Sequence, residues 1–140
     1  MPVVRTHRRG KMINSGVFDY INVLDKAADA SALRNQLIAN NIANQDTPGY
    51  KRQDVNFEEQ LKQALRSSKY TSIDDKVANV RMSALKAKQF TDYGDYSYRL
   101  DENNVDPEQE QVALAANQLK YQGLVSSLNS EFSNLKAVMK

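Results

Sequence analysis

The 140-residue chain contains no cysteine and no tryptophan, one histidine, five glycines and three prolines. Without cysteine it has no disulfide framework, no thiolate nucleophile and no cysteine-ligated zinc. A single histidine rules out a multi-histidine metal site and leaves any Ser-His-Asp triad dependent on His7. His7 stands in Arg5-Thr6-His7-Arg8-Arg9, where nothing would hold the ring, so it reads as a solvated side chain. Glycine and proline together number eight, about half the usual share, which favours long helices over a turn-rich fold. Leu, Ile, Val and Phe supply 32 of the 140 residues, just above the level at which chains stay disordered. The core is therefore expected to be thin and helped by partners.

No run approaches the ~18 consecutive apolar residues of a membrane span, so no direct membrane insertion is expected. Near the N-terminus a basic stretch leads into Met12-Ile13-Asn14-Ser15-Gly16-Val17-Phe18-Asp19, whose polar and acidic members interrupt any apolar signal core. Passage out of the cytoplasm is thus expected to need no cleaved leader. The net charge of +2 hides an asymmetry: Arg5, Arg8, Arg9 and Lys11 share the first eleven residues with no acid, and the remainder is net acidic. Such a tail suits nucleic acid or anionic lipid. No aromatic residues are interleaved with these charges, and a basic flexible tail over residues 1–13 explains them more simply.

What the chain does have is two long periodic segments. Over residues 14–45, Val17, Ile21, Leu24, Ala28, Ser31, Asn35, Ile38 and Ile42 alternate in steps of four and three, the spacing of a helix–helix seam. A second row, Ala27, Ala30, Leu33 and Leu37, widens the stripe. Thr47-Pro48-Gly49-Tyr50 then reads as a type II turn, with proline fixing φ and glycine accepting a positive one. Over residues 106–140, Asp106 is placed as N-cap, Pro107 as first helical residue and Gln109 as capping-box partner. Leu114, Gln118, Tyr121, Val125, Leu128, Phe132, Leu135 and Met139 repeat the four–three alternation. Gly123 inside this segment reads as a site of close backbone approach. The two helices are expected to pair antiparallel as a coiled-coil-like layer, leaving their second apolar rows to face other molecules.

Between them, residues 46–105 form the turn and a small irregular middle segment. Asn56 with Glu59 reads as a capping box opening a short helix through Leu61, Ala64 and Leu65, ended by Ser67-Ser68-Lys69. Residues 73–87 fit loop and helix equally. Tyr96, Tyr98 and Leu100 alternate with polar residues as in a short half-buried strand. The fold class is mainly α with little β, in one structural domain.

Chemistry is hard to find. No phosphate-binding glycine loop, zinc-protease helix or nucleophile elbow occurs. Asp101-Glu102-Asn103-Asn104-Val105-Asp106 begins like a calcium loop but offers Val105 where a ligand is needed and Asp106 where glycine is needed. The adjacent acids Glu58/Glu59 and Asp74/Asp75 do not point at one substrate atom. No catalytic, cofactor or metal site is expected.

The strongest local signal is Ala39-Asn40-Asn41-Ile42-Ala43-Asn44-Gln45-Asp46-Thr47-Pro48-Gly49-Tyr50-Lys51, a helix end dense in amides followed by a rigid turn. Asn40, Asn41 and Asn44 both donate and accept, which suits a polar, geometrically fixed junction within the chain or between subunits. This run resembles the N-terminal signature of bacterial flagellar rod and hook proteins. The extension from Arg52 to Leu61, with Leu100 to Asp106 and Asn117-Gln118-Leu119-Lys120-Tyr121, is similar to the FlgB (proximal-rod) type. The resemblance covers roughly residues 14–66 and 99–140.

The resemblance implies a non-enzymatic structural subunit, exported unfolded by the flagellar type III apparatus and assembled into a tubular, torque-transmitting shaft across the periplasm. Implied partners are copies of itself, other rod proteins, the rod-base adaptor FliE and the MS ring. Leu24, Leu33, Leu37, Ile38, Leu124, Leu128, Phe132 and Leu135 are expected to carry helix packing and subunit contacts. Asn40, Asn41, Asn44, Pro48, Gly49 and Tyr50 are expected to set the junction. The alternative from the residues alone is a helical nucleic-acid-binding or adaptor protein using the basic tail.

Overall fold

Two long helices frame the chain in the computed structural model, which describes residues 15–94 and 100–139. Helix α1 (Ser15–Ala43) and helix α4 (Pro107–Val138) span 29 and 32 residues. At ~1.5 Å per residue each is longer than 40 Å. They bracket strand β1 (Gln53–Asn56), helices α2 (Glu58–Arg66) and α3 (Ile73–Ala78), a 3₁₀ turn (Met82–Ala84) and strand β2 (Lys88–Thr91). The molecule is mainly helical, with long terminal helices and one two-stranded sheet. The basic tail over residues 1–13 and the tyrosines Tyr96 and Tyr98 lie outside the described residues.

The helix ends follow their local chemistry. Asp106 accepts from the Glu108 and Gln109 amides at 3.0 and 3.3 Å, and Pro107 occupies the first turn, where its missing N–H costs nothing. Beyond α1, the Tyr50 amide donates to the Thr47 carbonyl at 3.2 Å, closing the turn across Pro48 and Gly49. Gly49 holds φ at +71°, in the left-handed region that glycine enters freely.

α1 packs against α4 on one side and the middle segment on another. Toward α4, Ile21, Ala28, Ser31 and Ile38 are buried. On its second row, Ala30 and Leu37 form a buried cluster with Val55, Phe57 and Leu85, flanked by Ala27 and Leu33. That row was expected to face other molecules. It is instead covered by the chain's own middle segment, which wraps α1 closely despite its size. Tyr20 donates to Asp74 Oδ1 at 2.7 Å, tying α3 to α1; this bond and the nearby charge raise the tyrosine's pKa.

On α4 the buried positions are Glu110 and Asn117, with Leu114, Leu124, Leu128 and Leu135 half-buried. This seam also runs in steps of four and three and shares Leu114, Leu128 and Leu135 with the expected row, but elsewhere it is rotated by one residue and passes through buried Glu110 and Asn117. Ser31 Oγ donates to Asn117 Oδ1 at 3.0 Å. Asn117 returns bonds to the Ser31 carbonyl and to Asn35 Oδ1, both at 2.8 Å.

Two local expectations, at Asn56 and Gly123, are corrected. Asn56 is not a cap: it ends β1, and the residue before α2 is Phe57, whose ring is buried in the core and whose side chain makes no capping bond. The sheet that is described pairs β1 antiparallel with β2, Gln53 opposite Thr91, and Leu100 is fully exposed in a turn. A Cβ at Gly123 would meet nothing within 4 Å, so no backbone approaches there.

Candidate functional site

The last turn of α1, the start of β1 and the start of α4 converge on a buried polar junction. Asn41 is 0% exposed. Its Nδ2 donates to the Gln53 carbonyl at 2.9 Å and to Glu110 Oε2 at 3.0 Å. Its Oδ1 accepts from the Gln53 amide at 3.0 Å and the Tyr50 hydroxyl at 3.2 Å. Two donors and two acceptor sites are the full capacity of a primary amide. By holding both the N–H and the C=O of Gln53, Asn41 pairs with β1 as a neighbouring strand would.

Glu110, 1% exposed, also accepts from Arg52 Nε. Burying a carboxylate is tolerable only when it is paired and bonded in this way. Arg52 extends to Asp54 at 3.0 Å, and its amide donates to Asn104 Oδ1 at 2.7 Å. Burial works against the Arg52 charge, but the Glu110 bond and the carboxylates of Glu110 and Asp54 outweigh it and raise the guanidinium's pKa. Burial, then the Glu110 charge, pushes the Tyr50 phenol up.

A second arginine continues the network. Arg34, on α1, forks onto both Glu58 oxygens at 2.5 and 2.7 Å, and reaches Asp54 Oδ1 at 3.0 Å and the Val55 carbonyl at 2.6 Å. Lys120 of α4 also holds Glu58. Bonds from Arg34, joined by that from Lys120, keep the Glu58 carboxyl well below the usual carboxylate range despite partial burial. Glu58 raises the Arg34 pKa in turn. Glu58, one of the paired acids in the sequence, is thus engaged in structural bonds.

The turn that follows α1 is closed by a residue far along the chain. Asn103 Nδ2 shares its two hydrogens among the carbonyls of Asn44, Gln45 and Thr47, at 2.9, 3.0 and 2.8 Å. Its Oδ1 accepts from the Val105 amide at 2.8 Å. The Gly49 amide donates to the Asp101 carbonyl at 2.7 Å.

Of the signature residues, Asn41 and Tyr50 enter the junction. Asn44 bonds locally to the Asn40 carbonyl and to Thr47, whereas Asn40, Pro48 and Gly49 are exposed. Of the packing residues, Ile38 and Leu37 are buried, Leu24, Leu33, Leu124, Leu128 and Leu135 half-buried, and Phe132 is 56% exposed. Sequence reasoning missed Arg34, Arg52, Asn103, Glu110 and Asn117. Ser31 and Asn35 within the α1 seam were the available signal, because polar residues at seam positions ask for polar partners on the facing helix. Among the described residues, no group of three or more His, Asp or Glu side chains is placed to hold a metal, and no helix is long and apolar enough to cross a membrane.

A family model described as "Flagella basal body rod protein" matches residues 21–51, which carry Arg34, Asn41 and the turn. The flagellar basal body rod protein FlgB of Bacillus subtilis (strain 168) is 38% identical over 120 residues, covering 85% of this chain and 92% of that protein. This chain belongs to the FlgB family of flagellar basal body rod proteins. The FlgB proteins of Escherichia coli (strain K12) and Salmonella typhimurium are 29% and 30% identical over 122 residues, each covering 82% of this chain and 88% of the relative. The family is structural, not enzymatic, and its place is the basal body rod. A junction whose charges and amides bond one another suits that role by fixing the geometry of the helix ends.

Proposed function

We propose that this rod subunit builds the proximal part of a tubular shaft that transmits motor torque by static packing. Its terminal helices pair antiparallel as a coiled-coil-like layer. The supporting observation is that later residues of α1 bond earlier residues of α4: Ser31 meets Asn117, while Asn41 meets Glu110. In this reading Leu24, Ile38, Leu124, Leu128 and Leu135 carry the helix–helix contact, Leu33 and Leu37 brace the middle segment, and exposed Phe132 meets a neighbour. Asn40, Asn41, Asn44, Pro48, Gly49 and Tyr50 set the junction.

Neighbours are copies of the chain, other rod proteins, the rod-base adaptor FliE and the MS ring. The subunit reaches the periplasm through the flagellar type III apparatus without a cleaved leader.

Gly49→Val tests the junction's part in assembly. A Cβ there meets nothing within 4 Å, so the penalty is the left-handed φ alone, about 1–2 kcal/mol. The expected result is a strain with impaired motility and rods that stop short, seen by cryo-electron microscopy of isolated basal bodies. Normal basal bodies and swimming would remove the turn from the assembly argument.

A further inference from the structure

Two surfaces of this chain remain open and are complementary to each other. The first is a groove of about 520 Å³ between α1, α2, α3 and α4. Its floor is apolar, from Val23, Leu24, Leu61, Leu65 and Leu124, with Ile73 at its edge. Its rim is basic, from Lys62, Arg66, Lys76 and Lys120. The one acid lining it, Glu58, is already bonded to Arg34 and Lys120. Among the described residues, neither Arg66 nor Lys76 is ion-paired.

The second surface is the back of α4. Val112 and Leu119 are 70% and 71% exposed, two helical turns apart, with exposed Ala115 between them. Residues 108, 112, 115 and 119 fall on one face at 100° per residue, so exposed Glu108 heads this apolar strip. That face is opposite the seam residues Glu110 and Asn117. Leu119 and groove residue Lys120 diverge by about 100° around the helix, so strip and groove are distinct surfaces.

We propose that the α4 strip of one copy seats in the groove of the next. Val112 and Leu119 cover the leucine floor, and Glu108 meets the basic rim at Arg66 and Lys76. The contact joins two different patches, so it is heterologous and propagates from copy to copy. An apolar helix face in a groove, oriented by rim charges, is an ordinary recognition mode. The inference rests on the rod reading and adds the pair of surfaces that repeats along the assembly.

The absence of native cysteine makes the test clean. Two single-cysteine chains, Lys62→Cys and Leu119→Cys, are produced together in a strain lacking the native copy, and isolated basal bodies are mildly oxidised. The expected product is a Lys62→Cys to Leu119→Cys cross-link. Reversing Arg66 and Lys76 to Glu should lower its yield several-fold, on the scale of lost rim ion pairs, and adding Glu108→Lys should restore it. Circular dichroism of each variant separates this from misfolding. Variants that enter the basal body without that cross-link, or that join only through Leu119→Cys to itself, overturn the groove contact and leave the rod reading standing. Cross-linked chains absent from basal bodies overturn the rod reading while supporting the contact.

Discussion

A primary amide in water exchanges partners freely, but Asn41 has all its bonding capacity committed to four groups on three parts of the chain. Replacing it by alanine strands the Gln53 peptide and leaves the Glu110 carboxylate with one partner fewer. Each buried group left unsatisfied costs about 1–3 kcal/mol. Asn41→Ala should therefore lower the urea midpoint more than any substitution at exposed Asn40, and equal effects would contradict the junction's role in stability.

Glu58 makes a different kind of contribution. Its folded pKa is depressed below the unfolded value of ~4.3, so it stabilises the fold above that pH. The contribution is lost as pH falls through the folded value. With its side chain 48% exposed, screening holds the effect below about 1 kcal/mol. Between about pH 5 and pH 2 the native chain should lose stability more steeply than Glu58→Gln. Parallel slopes in urea titrations would show that the Arg34 fork adds nothing.

At the scale of elements, the legible parts were those governed by local chemistry. Helix α4 starts where Asp106 and Pro107 place its start, and Asp106→Ala should cost about 1 kcal/mol, measurable by equilibrium unfolding. The turn after α1 was readable because Pro48 and Gly49 have few other uses in sequence. The strands were not readable. Gln53–Asn56 and Lys88–Thr91 are four residues each, and only Val55 among them is buried, so no alternation marks them. The α4 seam was misplaced for a related reason. The four–three row selected Gln118, Val125 and Phe132, whereas the buried face passes through Glu110 and Asn117 and is fixed by bonds to α1. The junction was half legible: an amide-rich helix end announced a polar site, but its later partners Asn103, Asn104 and Glu110 come from 52 to 69 positions away and carry no local mark.

Across the whole molecule, cohesion is concentrated at one end. The junction, the sheet, the Asn103 cap and the buried cluster all lie beside the C-terminal half of α1 and the N-terminal half of α4. Among the described residues, α4 beyond Leu124 has half-buried leucines but makes no hydrogen bond to another element. Amide exchange should follow this gradient, with slow exchange in Ile38–Asn41 and Glu110–Asn117 and faster exchange over residues 125–138 of the free subunit. Uniform protection along α4 would contradict it. The exposed distal half is also the part with most surface to gain on assembly, so its protection should rise most in the rod.

The Asn103 cap has a kinetic consequence as well. The carbonyls it closes just beyond α1 lie 56 to 59 positions earlier, and Asn41 meets Glu110 across 69. Bringing such distant residues together carries a loop-closure cost and slows folding relative to local contacts. A chain threaded from its N-terminal end therefore has α1 and its turn in hand well before Asn103 and Glu110 arrive to close the junction. The fold therefore locks only once about three-quarters of the polypeptide is available to it.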